Sequence, residues 1–113
     1  ASGINNGITG YTNKKTHDGN CLTIANSGSV ASCFYQEVAF CGTDSIYALN
    51  LKKEYGILTR NVGIFISNLL CELKSRYSFG RALRVNRLKK IIISLPVNED
   101  DEIDYNYINS LFE

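Results

Sequence analysis

The hydrophobic pattern changes period near the middle of the chain. Residues 21–25, 30–37 and 45–51 are rich in β-branched and aromatic side chains, with Asn26-Ser27-Gly28-Ser29 and Cys41-Gly42-Thr43-Asp44 as turn signals between them. They predict three short strands. Beyond Gly56 the apolar residues recur at three and four: Leu58, Val62, Phe65, Ile66, Leu69, Leu70, Leu73 and Tyr77. That stripe predicts an amphipathic helix covering the sheet, with Gly80 as a left-handed stop. Residues 88–95, Leu-Lys-Lys-Ile-Ile-Ile-Ser-Leu, predict a further strand ending before Pro96, because the residue preceding proline is pushed extended. From Asp101 helical spacing returns at Ile103, Tyr107, Ile108, Leu111 and Phe112, with carboxylates placed in the first turn where the helix dipole favours them. The first twenty residues are rich in Gly and Asn and predict short extended pieces joined by tight turns.

Composition narrows the class. With 113 residues, 44% of them hydrophobic, and a formal net charge of +1, the chain has the make-up of one soluble domain and not of a disordered, collagenous or membrane protein. No apolar run approaches the roughly 18 residues a bilayer span needs. No repeat or linker divides it. Methionine is absent, which predicts a processed chain or a piece of a longer one. No charged-then-apolar leader opens it, so nothing points to secretion and a cytoplasmic location is expected. The cysteines, Cys21, Cys33, Cys41 and Cys71, form no Cys-x-x-Cys pair and each sits among apolar neighbours. Four buried thiols are expected, with neither metal nor disulfide.

The small net charge hides a strong asymmetry. Lys74, Arg76, Arg81, Arg84, Arg87, Lys89 and Lys90 fall within residues 74–90 with no acid among them, whereas Glu99, Asp100, Asp101, Glu102, Asp104 and Glu113 follow with no base. One segment attracts anions and the next repels them. A basic run can be only a solvated face, and Arg87, Lys89 and Lys90 can act as gatekeepers beside the Ile91-Ile92-Ile93 run. Tyr77, Ser78, Phe79 and Gly80, however, set hydrogen-bonding groups, a ring and a compact backbone among the cations, as a nucleic-acid surface requires.

Catalytic chemistry is not evident. The single histidine, His17, lies in a polar loop without a recognisable nucleophile partner, Ser27-Gly28-Ser29 lacks a base, and no Gly-x-Ser-x-Gly, phosphate-loop or Gly-x-Gly-x-x-Gly motif occurs. No catalysis by this chain is expected.

Three stretches in order, Leu22-Thr-Ile-Ala-Asn26-Ser-Gly28-Ser-Val30-Ala-Ser-Cys-Phe34-Tyr35-Gln36, then Tyr77-Ser-Phe-Gly80-Arg81, then Arg87-Leu-Lys-Lys90-Ile-Ile-Ile-Ser-Leu95-Pro96, carry a family resemblance. With the opening Asn5-Asn6-Gly7-Ile8-Thr9-Gly10-Tyr11, the chain resembles a target-recognition domain of a restriction-modification DNA specificity subunit, of type I or BcgI-like systems. The resemblance implies an α+β fold of the DNA methylase specificity-domain type: short strands in a helix-like coil, one covering helix and the start of a C-terminal spacer helix. It divides the chain into a recognition domain, 1–98, and the beginning of the spacer, 99–113. It further implies a non-catalytic module that reads one half of a bipartite double-stranded DNA target. The expected partners are a DNA methyltransferase subunit, a nuclease or translocase subunit in some systems, and a second recognition domain or a second copy met through the C-terminal helix. No cofactor is expected on this chain; S-adenosylmethionine and ATP belong to partner subunits. At position 31, where glycine is common in such domains, stands Ala31, which suggests a need for smallness rather than for glycine.

DNA contacts divide into phosphate contacts that hold register and base contacts that discriminate. For phosphates the candidates are Arg76, Arg84, Lys89 and Lys90. For base edges they are Arg81, Tyr77 and Ser78, with Gly80 allowing close backbone approach. A second arm is the loop Asn13, Lys14, Lys15, Thr16 and His17, whose amide, ammonium, hydroxyl and imidazole groups can read a groove edge, though such a loop can also be merely solvated. Phe34 and Tyr35 alternate within a strand, so at least one ring is expected in the core rather than on a stacking platform. The competing function is a protein-interaction or RNA-binding module using the 74–90 stretch.

Overall fold

Cys21–Ala25 (β1) is buried along its whole length because it runs down the middle of a three-stranded antiparallel sheet. Cys33–Gln36 (β2) flanks it on one side and Ile46–Leu49 (β3) on the other. The computed structural model describes residues 5–8, 10, 15–26, 31–42, 46–72 and 88–113. All three strands fall inside the segments the apolar pattern marks.

The turn from β1 to β2 closes through Ala31 N–H donating to Ala25 O and Ala25 N–H donating to Ser32 O, both at 2.9 Å. Ala31 is fully buried and has φ +67°, in the left-handed region. The expectation that only smallness matters there is therefore incomplete. The backbone itself favours glycine, and alanine is the least bulky residue with a Cβ that can take its place.

Arg60–Cys71 (α1) starts at Thr59, whose hydroxyl accepts from Val62 N–H. Val62, Ile66 and Leu70, spaced by four, form its buried stripe and join Leu22, Ile24, Cys33 and Leu58 in the core. The continuation through Tyr77 to Gly80 lies outside the described residues. Gly63, also buried, brings the helix backbone against the ring of Tyr35. Farther along, Cys71 S–H donates to Cys33 O at 3.0 Å while Cys33 N–H donates to Cys71 Sγ at 3.3 Å, tying the end of α1 to the start of β2. Burial, followed by the neighbouring Cys71, pushes the Cys33 thiol up to about 12. All four cysteines are free, but Cys41 is exposed and Cys71 only half-buried, so the expectation of four buried thiols holds for Cys21 and Cys33 alone. Tyr35 packs against the core, as the strand alternation requires of one ring of its pair.

The predicted strand 88–95 is not one. Leu88 is helical, Lys89 and Lys90 follow as a turn, and 91–96 run without a ladder to any described strand. The alternation is real, because Ile91, Ile93 and Leu95 pack on the core while Ile92 is exposed. What is missing among the described residues is a hydrogen-bonding neighbour, and period-two patterning reports only which face is buried.

The helix expected from Asp101 begins later, at Tyr105–Ser110 (α2), with Asp104 as its cap: Asp104 Oδ1 accepts from Tyr107 N–H at 2.9 Å. Glu99, Asp100, Asp101 and Glu102 instead form a tight turn around Asn98, whose Oδ1 accepts from Asp100 N–H and Glu102 N–H. A Val97–Ile103 bridge closes its base. α2 docks on α1 through fully buried Ile108 and an Asn61–Asn109 side-chain hydrogen bond, and Tyr105 O–H donates to Tyr55 O. Tyr107, Leu111 and Phe112, assigned by spacing to the same stripe as Ile108, are exposed by 51%, 52% and 41%. No described helix is long and apolar enough to cross a membrane.

Candidate nucleic-acid interface

The loop before β1 is held by the segment after β2. Thr16 N–H and His17 N–H both donate to Phe40 O, and Phe40 N–H donates back to His17 O at 3.1 Å. The His17 and Phe40 rings stack, with centroids 5.0 Å apart and planes 7° from parallel. Thr16 Oγ1 accepts from Gly42 N–H at 2.7 Å and lies 2.8 Å from His17 Nδ1. A freely solvated loop would have none of these constraints. Lys15 is exposed but paired, its Nζ 3.1 Å from Asp18 Oδ1. A second weak pair, Arg60 Nε to Glu37 Oε2 at 4.0 Å, lies beside the partner segment.

Of the other candidate residues, Lys89 and Lys90 are exposed in the turn after Leu88, which Ile91 N–H closes by donating to Leu88 O. Asn13, Lys14, Arg76, Tyr77, Ser78, Gly80, Arg81 and Arg84 lie outside the described residues. The described structure thus brings Lys15, Thr16 and His17 together as one unit and gives no relation between them and the basic stretch. Sequence reasoning missed residues 37–42 as the other half of that unit. Cys41-Gly42 looked like a turn, and nothing local marks Phe40 as the partner of His17.

The family model for the type I restriction modification DNA specificity domain matches residues 1–113. The chain belongs to this family. The mixed α+β architecture of the described residues, a three-stranded antiparallel sheet with two α-helices among them, agrees with a specificity domain. The chain is also 31% identical, over 110 residues, to the specificity subunit S.BcgI of a type II restriction enzyme from Heyndrickxia coagulans. That alignment covers 96% of the chain and 32% of the relative, so the chain spans about a third of that protein's length. No solved structure matches. The family matched is that of the DNA specificity domain, not of a methyltransferase or a nuclease.

Proposed function

We propose that this specificity domain reads one half of a bipartite double-stranded DNA target, without catalysis of its own, and directs DNA methyltransferase and nuclease subunits to it. The observation that carries the reading is the match of a DNA specificity family over residues 1–113. Any S-adenosylmethionine or ATP is then held by those partner subunits. In this reading residues 1–98 form the recognition domain and 99–113 open a spacer helix toward a second recognition domain or a second copy, with Tyr107, Leu111 and Phe112 as its exposed apolar face.

Physical chemistry supports a division of labour. Lys89 and Lys90, exposed and without acids nearby in sequence, suit phosphate oxygens, as do Arg76 and Arg84. Arg81, Tyr77 and Ser78 beside Gly80 suit base edges, and so do Lys15, Thr16 and His17, with Asn13 and Lys14 preceding them. The cleft lined by Val97, Asn98, Glu99, Asp100 and Asp104 has the sign that repels phosphate, and it faces away from the duplex in this reading.

The test is duplex binding as a function of salt. With about four to six phosphates engaged, log K falls against log salt with a slope of roughly −4 to −5. A flat response overturns the proposal.

A further inference from the structure

The pairing of β1 with β2 continues past the sheet. β3 pairs only with Leu22 to Ala25, but the β1–β2 register runs on from Cys21 opposite Gln36. Asn20 N–H donates to Glu37 O at 3.2 Å, and His17, four positions before Cys21, bridges Phe40, four positions after Gln36. No residue is gained or lost on either side. The continuation bends at Gly19, Asn20 and Val38, and a Cβ on Gly19 would come within 2.5 Å of Val38 C and 2.7 Å of Val38 Cα. Only glycine lets the two backbones approach so closely. Beyond the bend the ribbon curls back toward β3: at Gly42, an added Cβ would touch Ile46 Cδ1 at 3.0 Å and His17 Cε1 at 3.1 Å.

We propose that this bent ribbon, 15–20 against 37–42, is a base-reading arm, with Val38 and His17 as specificity-determining residues toward a DNA major groove. The inference rests on the DNA-recognition reading above. A two-stranded ribbon fits the major groove, which is about 12 Å wide. Within the ribbon Lys15 pairs with Asp18, and Glu37 lies 4.0 Å from Arg60 of α1, so the ribbon carries no excess of positive charge to attract phosphate. The remaining exposed chemistry is that of base edges. Val38 is 73% exposed, an apolar group suited to a thymine methyl. His17 is held by the Phe40 stack and by Thr16 at Nδ1, which leaves Nε2 as the ring atom for a base. Because the ring is already fixed, little freedom is lost on binding.

The experiment is selection from randomised duplex DNA with the whole chain, its Val38→Ala variant and its His17→Ala variant, with thermal melting of each. Val38 is exposed, so Val38→Ala melts like the parent. The parent selects a short sequence, and each variant loses about fivefold or more of the preference at one position, Val38→Ala at an A·T pair. If the parent selects a sequence and both variants select the same one with equal strength, the arm is overturned while DNA recognition stands. If the parent selects nothing, the recognition reading itself falls, and the arm with it.

Discussion

Gly63 of α1 and Tyr35 of β2 meet so closely that a Cβ on Gly63 would lie within 2.7 Å of Tyr35 Cε1 and closer still to Cδ1. Tyr35 cannot readily move aside, because its O–H donates to Asn20 Oδ1 at 2.6 Å while Asn20 Nδ2 donates to Leu58 O at 2.8 Å. The helix, the sheet and the strand of the ribbon that enters β1 are thus locked through one ring. Gly63→Ala should destabilise the fold by about 1–3 kcal/mol despite its better helix propensity. Gly10→Ala, where no atom of the described residues lies within 4 Å, serves as the comparison and should be close to neutral in a urea melt.

Ala31 offers the opposite case. Its left-handed φ costs a residue with a Cβ roughly 1–2 kcal/mol, against about 0.5–1 kcal/mol of extra chain entropy for glycine. Ala31→Gly should therefore leave stability unchanged or raise it by up to about 1 kcal/mol. Ala31→Val, β-branched and fully enclosed, should lower it by more than about 2 kcal/mol. Denaturant midpoints of the two variants give the comparison.

Alkaline pH should destabilise the domain in a defined window. The folded state holds the Cys33 thiol at about 12, against 9.0 for an ordinary thiol, so above pH 9 the unfolded chain sheds a proton that the folded chain keeps. Stability is insensitive to this group well below pH 9 and falls as pH rises toward 12, by at most about 1.4 kcal/mol per unit. Cys21 and Tyr35, also raised first by burial, add in the same direction. Melting temperatures from pH 7.5 to 10.5 should decline, and Cys33→Ala should decline less steeply.

The tail divides by burial. Ile108→Ala should cost about 2–5 kcal/mol, because Ile108 is fully enclosed between α2 and the core, whereas Leu111→Ala should stay within about 0.5 kcal/mol. Equal effects in thermal melting would contradict the docking of α2.

Base and phosphate contacts within the basic stretch separate by mutation. Arg81→Ala should relax preference at one base position, whereas Lys89→Ala should weaken all sequences alike and reduce the salt slope by about 1. Equal scaling of every sequence by both would remove Arg81 from base readout.

Local patterning revealed whatever depends on one element alone. The three strands and the Val62-Ile66-Leu70 stripe were legible, since period reports burial. Three features depended on a distant partner and were not. The Ile run found a core to face but no described strand to pair with. Tyr107 and Leu111 belong to the same spacing as Ile108 but are about half exposed, so only part of that stripe is buried by the short helix. The His17–Phe40 bridge joins residues far apart in sequence, and Gly19 and Asn20 look like turn formers where the chain in fact bends within a continuing ladder. The candidate site was therefore half legible: its polar loop could be named, its supporting strand could not.

The central claim, that this domain reads sequence in duplex DNA, is tested most directly by selecting binders from a pool of randomised duplexes with the whole chain in excess non-specific competitor. Enrichment of one short, asymmetric sequence is expected, as one half of a bipartite target requires. Recovery of an unenriched pool, or binding that the competitor abolishes for every sequence alike, would contradict it.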